Sequence, residues 1–343
     1  MALDLTRVPA TDPTAIYRYR DGLYAVDLIT AAVVDLDLFS WLADRPSTAE
    51  DICRAFDLQP RPTDVLITLL VASGLLERDG PRLRLSNLSR EHLTGALWNL
   101  SPYYASLRDR PVTRDFTRVL RTGRPAHWGG DRVGADWHAA METEAFARPF
   151  TAAMDCRGVY LGQALAKHLD LAARRRVLDI GGGSGIYACS LVAHHPHLRA
   201  TVFEQHPVAR IAETLLSERG FADRVEVATG DFLHDPWPPD CDVHLLSNVL
   251  HDWDLPVVRQ LLDTSFQTLA AGGLLVIHEA FINADKTGPL PVAEYSALLM
   301  HSTQGKCYAT SEYAALLSEA GFGLVTYADT AADRGAMTAT KPG

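Results

Sequence analysis

The sequence predicts an α/β protein in which a doubly wound, mostly parallel sheet follows an α-helical, winged-helix-like segment. Three observations predict it. From Arg174 onward strand and helix patterns alternate. An apolar strand runs straight into the glycine-rich turn Gly181-Gly182-Gly183-Ser184-Gly185. Before residue 100, two short helical patterns are followed by a hairpin.

The 343 residues suffice for about two domains. With 47% hydrophobic and 22% charged residues, disorder, collagen-like repeats and a coiled-coil rod are excluded. A net charge of −10 argues against an extended nucleic-acid-binding face, which needs clustered Lys and Arg. No apolar run reaches the ~18 residues of a membrane span. Met1 to Ala10 carries Asp4 and Arg7 and has no secretory apolar stretch. A soluble, cytoplasmic protein with no membrane partner is expected. Cys53, Cys156, Cys189, Cys241 and Cys307 are irregularly spaced without a CxxC pair, so reduced, mostly buried thiols are expected.

Taken in order, Ala15 to Leu42 is too apolar for a solvated face and predicts a buried helix that packs on a partner chain. Ser47-Thr48-Ala49-Glu50 reads as a capping box with Ser47 as N-cap, opening a helix to Phe56. A second helix runs from Pro62 to Ser73 and stops at Gly74. Leu75–Arg78 and Arg82–Leu85 flank Asp79-Gly80-Pro81 as a hairpin. This is a winged-helix pattern, yet residues 1–100 hold ten Arg, no Lys and fourteen Asp plus Glu. The would-be recognition helix carries Asp64 and no basic residue, so no nucleic-acid partner is expected.

Residues 101–165 read as helices and loops rich in aromatics: Tyr103, Tyr104, Trp128, Trp137, Phe146 and Phe150. They serve as linker and core, and some line an acceptor pocket. Strands are then expected at 176–180, 200–204, 225–229, 243–247, 274–278 and 324–326, with helices at 186–194, 208–219, 256–270 and 311–320.

Glycines at 181–185 let the backbone turn sharply and approach a ligand. Asp179 stands two residues before the first of them, Glu204 ends the next strand, and Gly230-Asp231-Phe232 ends the third. An acidic cradle suits a sulfonium-bearing adenosine better than a dinucleotide pyrophosphate. At these residues, and at Ser247-Asn248-Val249-Leu250-His251-Asp252-Trp253 and Ala271-Gly272-Gly273-Leu274-Leu275, the chain resembles the class I S-adenosylmethionine-dependent methyltransferases. More narrowly it resembles the plant and bacterial small-molecule O-methyltransferase family, over nearly its whole length. The resemblance implies a Rossmann-like seven-stranded methyltransferase domain and an intertwined homodimer. It divides the chain into a winged-helix-like dimerisation domain (1–100), a helical linker and acceptor-pocket region (101–165) and the cofactor-binding domain (166–343). It assigns S-adenosyl-L-methionine to Asp179, Gly181, Gly183, Glu204, Asp231 and Phe232.

In that family the histidine matching His251 takes the acceptor's proton, and imidazole suits the task because its pKa lies near working pH. Of the two carboxylates that usually flank it, Glu279 matches one, while Cys307 stands where the other is expected. His251, Asp252 and His301 also form a possible 2-His-1-carboxylate set for one divalent or ferric ion. That set resembles the branch of the family that C-methylates 2-oxo acids at C3, where a chelating metal would hold the enolate charge. The favoured expectation is therefore metal-assisted C3-methylation of a 2-oxo acid. The alternative is metal-independent O-methylation of a phenolic or enolic hydroxyl with His251 as general base. A regulatory cofactor-binding dimer that uses its winged helix on nucleic acid is disfavoured by the intact His251-Asp252-Trp253 and the acidic first domain. His194, His195 and His197 at a helix end are expected on the solvated surface, and His244 and His278 in the core.

Overall fold

In the computed structural model, which describes residues 3–126 and 140–343, local capping chemistry sets the boundaries of the first elements. Thr48, not Ser47, caps the helix Ala49–Phe56: its hydroxyl accepts from the Asp51 N–H while the Asp51 carboxylate reaches back to the Thr48 N–H. Both residues lie in the short strand β1 (Ser47–Thr48), but the Ser47 hydroxyl donates to the Arg45 carbonyl at 2.7 Å, which leaves Thr48 as the cap. The next helix, Pro60–Ala72, begins two residues earlier than expected, with Pro60 at its first position, where a missing N–H costs nothing. Strands β2 (Leu76–Asp79) and β3 (Arg82–Leu85) form the hairpin, and β1 adds to β3 in a three-stranded antiparallel sheet of order β1-β3-β2.

The apolar stretch Ala15–Leu42 is not one helix. It breaks into Thr14–Asp21, Ala25–Thr30, a π-helical turn Ala31–Asp35 and Leu38–Leu42, the last entered through Asp37 at φ +49°. Much of its apolar surface is satisfied within the chain. Leu28, Val33, Leu38, Phe39 and Leu42 are buried; Pro111–Thr122 packs against Ala25–Thr30 and the π-helical turn, while Leu38–Leu42 packs against that turn and β3. There the buried Asp27 accepts from Arg110 and from the Thr113 hydroxyl at 2.9 Å. Ile16, Tyr19, Leu23 and Val26 remain exposed.

Two compact units result. A helical unit comprises Ile16–Trp137 and Ile282–Ala309, and a sheet unit comprises Met1–Ala15, His138–Phe281 and Thr310–Gly343. These bounds cut across the three expected segments, because residues 282–309 join the N-terminal helices. Charge explains it. Asp64, on the helix Pro60–Ala72, is paired with Lys306 at 2.5 Å and Lys286 at 2.9 Å, and Arg61 donates to the Gly305 carbonyl at 2.6 Å. Cys307, in the same segment, is buried, and its N–H donates to the Ser296 hydroxyl. Trp128 and Trp137 lie outside the described residues.

The sheet unit has seven strands: β4 (Arg176–Ile180), β5 (Arg199–Glu204), β6 (Val225–Thr229), β7 (Val243–Ser247), β8 (Leu274–Glu279), β9 (Gly323–Asp329) and β10 (Gly335–Thr340). Their order is β6-β5-β4-β7-β8-β10-β9, with only β10 antiparallel to its two neighbours. The order reverses between β4 and β7, which opens a crevice at their carboxyl ends where open α/β sheets bind ligands. The long helix Glu144–His168 belongs here. Gly158 admits it, since a Cβ there would meet Ile186 at 2.3 Å, and a bidentate Arg219–Asp155 pair ties it to the helix His206–Arg219. Among the described residues no helix is long and apolar enough to cross a membrane, and no disulfide forms.

Candidate active site

The carboxyl edge of the sheet collects most of the expected site. Asp179 ends its strand fully buried, and both its carboxylate oxygens lack a hydrogen-bond partner among the described residues. Burial pushes its carboxyl up to about 7, weakly opposed by the Ala188 N–H. Such an orphaned acid is costly unless something with positive or donor character completes it. Gly181 and Gly183 follow at φ +63° and +59°, a region L side chains avoid. A Cβ on Gly183 would meet nothing within 4 Å, so its backbone faces open space.

Glu204, at the end of β5, is also buried and accepts from the Gln205 N–H at 3.0 Å. Burial, with the charges of Asp179 and Asp231 added, pushes it up to about 7. Asp231 caps its own turn by accepting from the Leu233 N–H at 2.9 Å, and it pairs with His234 at 2.7 Å, which raises the His234 pKa. Phe232 lies beside Gly181 and edge-on to Trp253, with ring centroids 6.2 Å apart. Three strand ends, those of β4, β5 and β6, therefore present three carboxylates, two glycines at positive φ and an aromatic face. That donor set fits S-adenosyl-L-methionine, whose sulfonium, ribose hydroxyls and adenine are cationic, donating and flat respectively.

This arrangement carries a pH prediction. A cation bound beside Asp179 and Glu204 favours their ionised forms, so both would have lower pKa values bound than free. Affinity is then full above about 7 and is lost as pH falls through 7, where the free carboxyls take up protons. Calorimetric titration with S-adenosylmethionine at pH 8 and pH 6 should give the weaker binding at pH 6.

After β7 the chain turns out of the sheet at Asn248, whose φ of +54° is tolerated best by Asn, Asp and Gly. The short 3-10 turn Leu250–Asp252 follows and carries His251. The imidazole is buried, and its pKa is held well below the usual value by burial and by the positive charges of Arg157 and Arg334. The imidazole is therefore uncharged at neutral pH, and its pKa lies below the working-pH value the sequence led one to expect. The turn also brings the Asp252 carboxyl to 3.8 Å from His251 Nε2, which neighbouring residues of an extended strand could not achieve. Burial and the nearby Glu279 charge raise the Asp252 pKa well above its normal value.

Glu279 meets this turn through its backbone. One carboxylate oxygen accepts from the Val249 and His251 N–H groups at 3.2 and 3.1 Å, and the other accepts from the Tyr313 hydroxyl at 2.6 Å. It positions His251. Tyr313, Arg157 and Arg334 were not singled out in the sequence, and Asn248 was named only as part of the motif 247–253. Only Asn248 had a local signal, an Asn directly after a strand end.

The expected metal set is not formed. Among the described residues no three His, Cys, Asp or Glu side chains stand together so as to hold a metal ion. His301 lies in the helical unit, where its imidazole is 3.3 Å from the Asp115 carboxylate and packs against Phe116 and Tyr24. His244 and His278 are buried core residues as expected. Their rings bond Ser265, and Ser247 with Thr330, and burial drives them down to about 4 and about 3. His194, His195 and His197 are not simply solvated: each ring bonds a backbone carbonyl, of Ser190, Ala166 and Leu171.

A seven-stranded sheet with this order, a glycine turn after β4 and an acid after β5 defines a class I α/β methyltransferase. The profile of the O-methyltransferase domain family matches residues 114–323, and the chain belongs to that family of S-adenosylmethionine-dependent enzymes. It is 30% identical over 312 residues to a 3-hydroxy-5-methyl-1-naphthoate 3-O-methyltransferase from Streptomyces sahachiroi, covering 90% of this chain and 89% of that one. It is 32% identical over 299 residues to a tetracenomycin polyketide synthesis 8-O-methyl transferase from Streptomyces glaucescens, covering 85% and 86%. An O-methyltransferase family 2 protein from Planctomyces limnophilus, solved in complex with apigenin, superposes with a TM-score of 0.89 at 32% identity, covering 99% of this chain and all of that one.

Proposed function

We propose that this methyltransferase acts on a hydroxyl oxygen of a small phenolic or enolic metabolite, without a metal, and that His251 is the general base. The observation that carries the reading is a buried, neutral imidazole fixed at the end of β7, beside the acidic cradle. S-adenosyl-L-methionine, when bound, supplies an electrophilic methyl group. Asp179, Glu204 and Asp231 would hold its donors and charge, Gly181 and Gly183 would give backbone access, and Phe232 would cover the adenine. His251 accepts the hydroxyl proton as the oxygen becomes nucleophilic, and the imidazolium formed would draw the Asp252 carboxyl, 3.8 Å away, towards ionisation.

C3-methylation of a 2-oxo acid is the less supported reading. A ketone's C3 proton needs a chelating ion to hold the enolate charge, and His251, Asp252 and His301 do not assemble into a ligand set. The named relatives are O-methyltransferases. Turnover with a panel of phenols and 2-oxo acids, read by proton NMR, tests the reading. A methoxy singlet, formed at an unchanged rate after prolonged chelator treatment, is the expected result. A methyl coupled to a C3 proton, or activity restored only by added metal, would reject it.

The family resemblance also leads us to propose a homodimer, now through a narrower surface than the whole of Ala15–Leu42. Ile16, Tyr19, Leu23 and Val26 remain exposed, as do Leu97, Trp98 and Tyr103 in the same unit, and large apolar side chains left in water suit an interface. Light scattering should report about twice the 37.5 kDa of one chain. A monomer at micromolar concentration would contradict it.

A further inference from the structure

We propose that Tyr313 is a positioning residue for methyl transfer: its phenol holds Glu279 so that Glu279 can hold the backbone turn carrying His251. The inference rests on the reading of His251 as the general base. It begins from a problem created at the end of β7. Once the chain leaves the sheet at Asn248, the N–H groups of Val249 and His251 point away from strand partners and need acceptors. Both find one oxygen of Glu279, which ends the neighbouring strand β8. Glu279 is wholly buried, however, and a buried carboxylate that serves two amides with one oxygen leaves the other to be satisfied.

Tyr313 does that. It lies on the helix Thr310–Glu319, has no solvent exposure, and donates its hydroxyl to the second Glu279 oxygen at 2.6 Å. Its ring is fixed edge-on by Phe281 at a centroid distance of 5.5 Å, and Phe281 in turn packs on Tyr327. The hydroxyl cannot swing away without disturbing that stack. Burial pushes the Glu279 carboxyl up to about 7, and the phenol and the three backbone N–H groups of 249–251 oppose the rise. The Tyr313 hydroxyl on one oxygen and the Val249 and His251 N–H groups on the other bracket the carboxyl from both sides. With the hydroxyl removed, the acid protonates more readily, and as a neutral group it accepts from the turn more weakly. The imidazole then samples orientations that cannot take the acceptor's proton. The link from Tyr313 to the reacting atoms runs through Glu279.

The test is steady-state kinetics on the full-length protein with S-adenosylmethionine and the phenol it turns over fastest, for Tyr313→Phe, Glu279→Gln, the double variant and His251→Ala. Circular dichroism should show all four folded. Tyr313→Phe should lower kcat by about tenfold and leave the KM for S-adenosylmethionine within about twofold, because a charge-assisted hydrogen bond is lost away from the cofactor cradle. In the Glu279→Gln background the same substitution should change kcat little, since the residue it acts through has already lost its charge. Amide exchange at Val249 and His251, measured without acceptor, should quicken in Tyr313→Phe. An unchanged kcat, a fully additive double variant, or unaltered exchange at those two amides would overturn the inference. Wild-type turnover by His251→Ala would instead overturn the reading of His251, and the role of Tyr313 in catalysis with it. Slow turnover by His251→Ala beside an unaffected Tyr313→Phe would overturn the role of Tyr313 alone.

Discussion

Turnover by His251→Ala is expected to fall by about 10²–10⁴-fold, the range a positioned general base contributes. The loss should appear almost wholly in kcat. His251 stands on the β7 side of the crevice, whereas the cofactor cradle is built from the ends of β4, β5 and β6, so S-adenosylmethionine binding by calorimetry should stay within about twofold of wild type. The imidazole is neutral at pH 7 because burial and two guanidinium charges oppose its protonation, so it is ready to accept a proton without first losing one. Raising the pH should partly restore the variant with an acidic phenol, since hydroxide in bulk then replaces the missing base. Equal loss of kcat and of cofactor affinity would show that the alanine has collapsed the site rather than removed its base.

Gly183→Val should abolish detectable cofactor binding while leaving the fold intact. At φ +59° a residue with a Cβ costs about 1–2 kcal/mol, and a β-branched one more. The side chain would project into the open space that the Gly183 backbone faces. The loop can relieve the strain only by moving, and then it no longer presents its backbone beside Asp179. Calorimetry would show no heat with S-adenosylmethionine, and circular dichroism an unchanged spectrum. Wild-type affinity in this variant would remove the 181–185 turn from the cofactor site.

Much of the sheet was legible because its central strands β4, β5, β7 and β8 are buried on both faces, which writes them as short apolar runs such as Val243–Ser247. Strand β10 escaped notice because Gly335-Ala336-Met337-Thr338-Ala339-Thr340 has small side chains and no bulky β-branched run, and its place between β8 and β9 is decided by long-range pairing. The first cap was misplaced by one residue because the Ser47 hydroxyl is taken by the Arg45 carbonyl, a local turn contact that leaves Thr48 to cap. In the candidate site the residue types were readable wherever a motif places them on one strand end, as with Asp179, Glu204 and Asp231. Partnerships across the chain were not. The Tyr313–Glu279 bond spans 34 positions and His301–Asp115 spans 186, and neither leaves a periodic mark in the sequence. The expected metal set failed there: three candidate ligands were present, but His301 is taken up by Asp115, Phe116 and Tyr24, neighbours no local pattern announces.

The division into units has a consequence for anyone who recombines this enzyme with its relatives. The backbone passes from one unit to the other near residues 15, 137, 281 and 309. A chimera with one crossover at residue 100 or 166 would therefore join half a helical unit to the wrong half of its own core. Asp64 would come from one parent and its partners Lys286 and Lys306 from the other. Blocks 16–137 and 282–309 must travel together, as one cassette cut at four points. The second block is the easier to graft, because Glu279 and Tyr313 stand just outside its two ends and their hydrogen bond draws the flanking chain together whatever lies between.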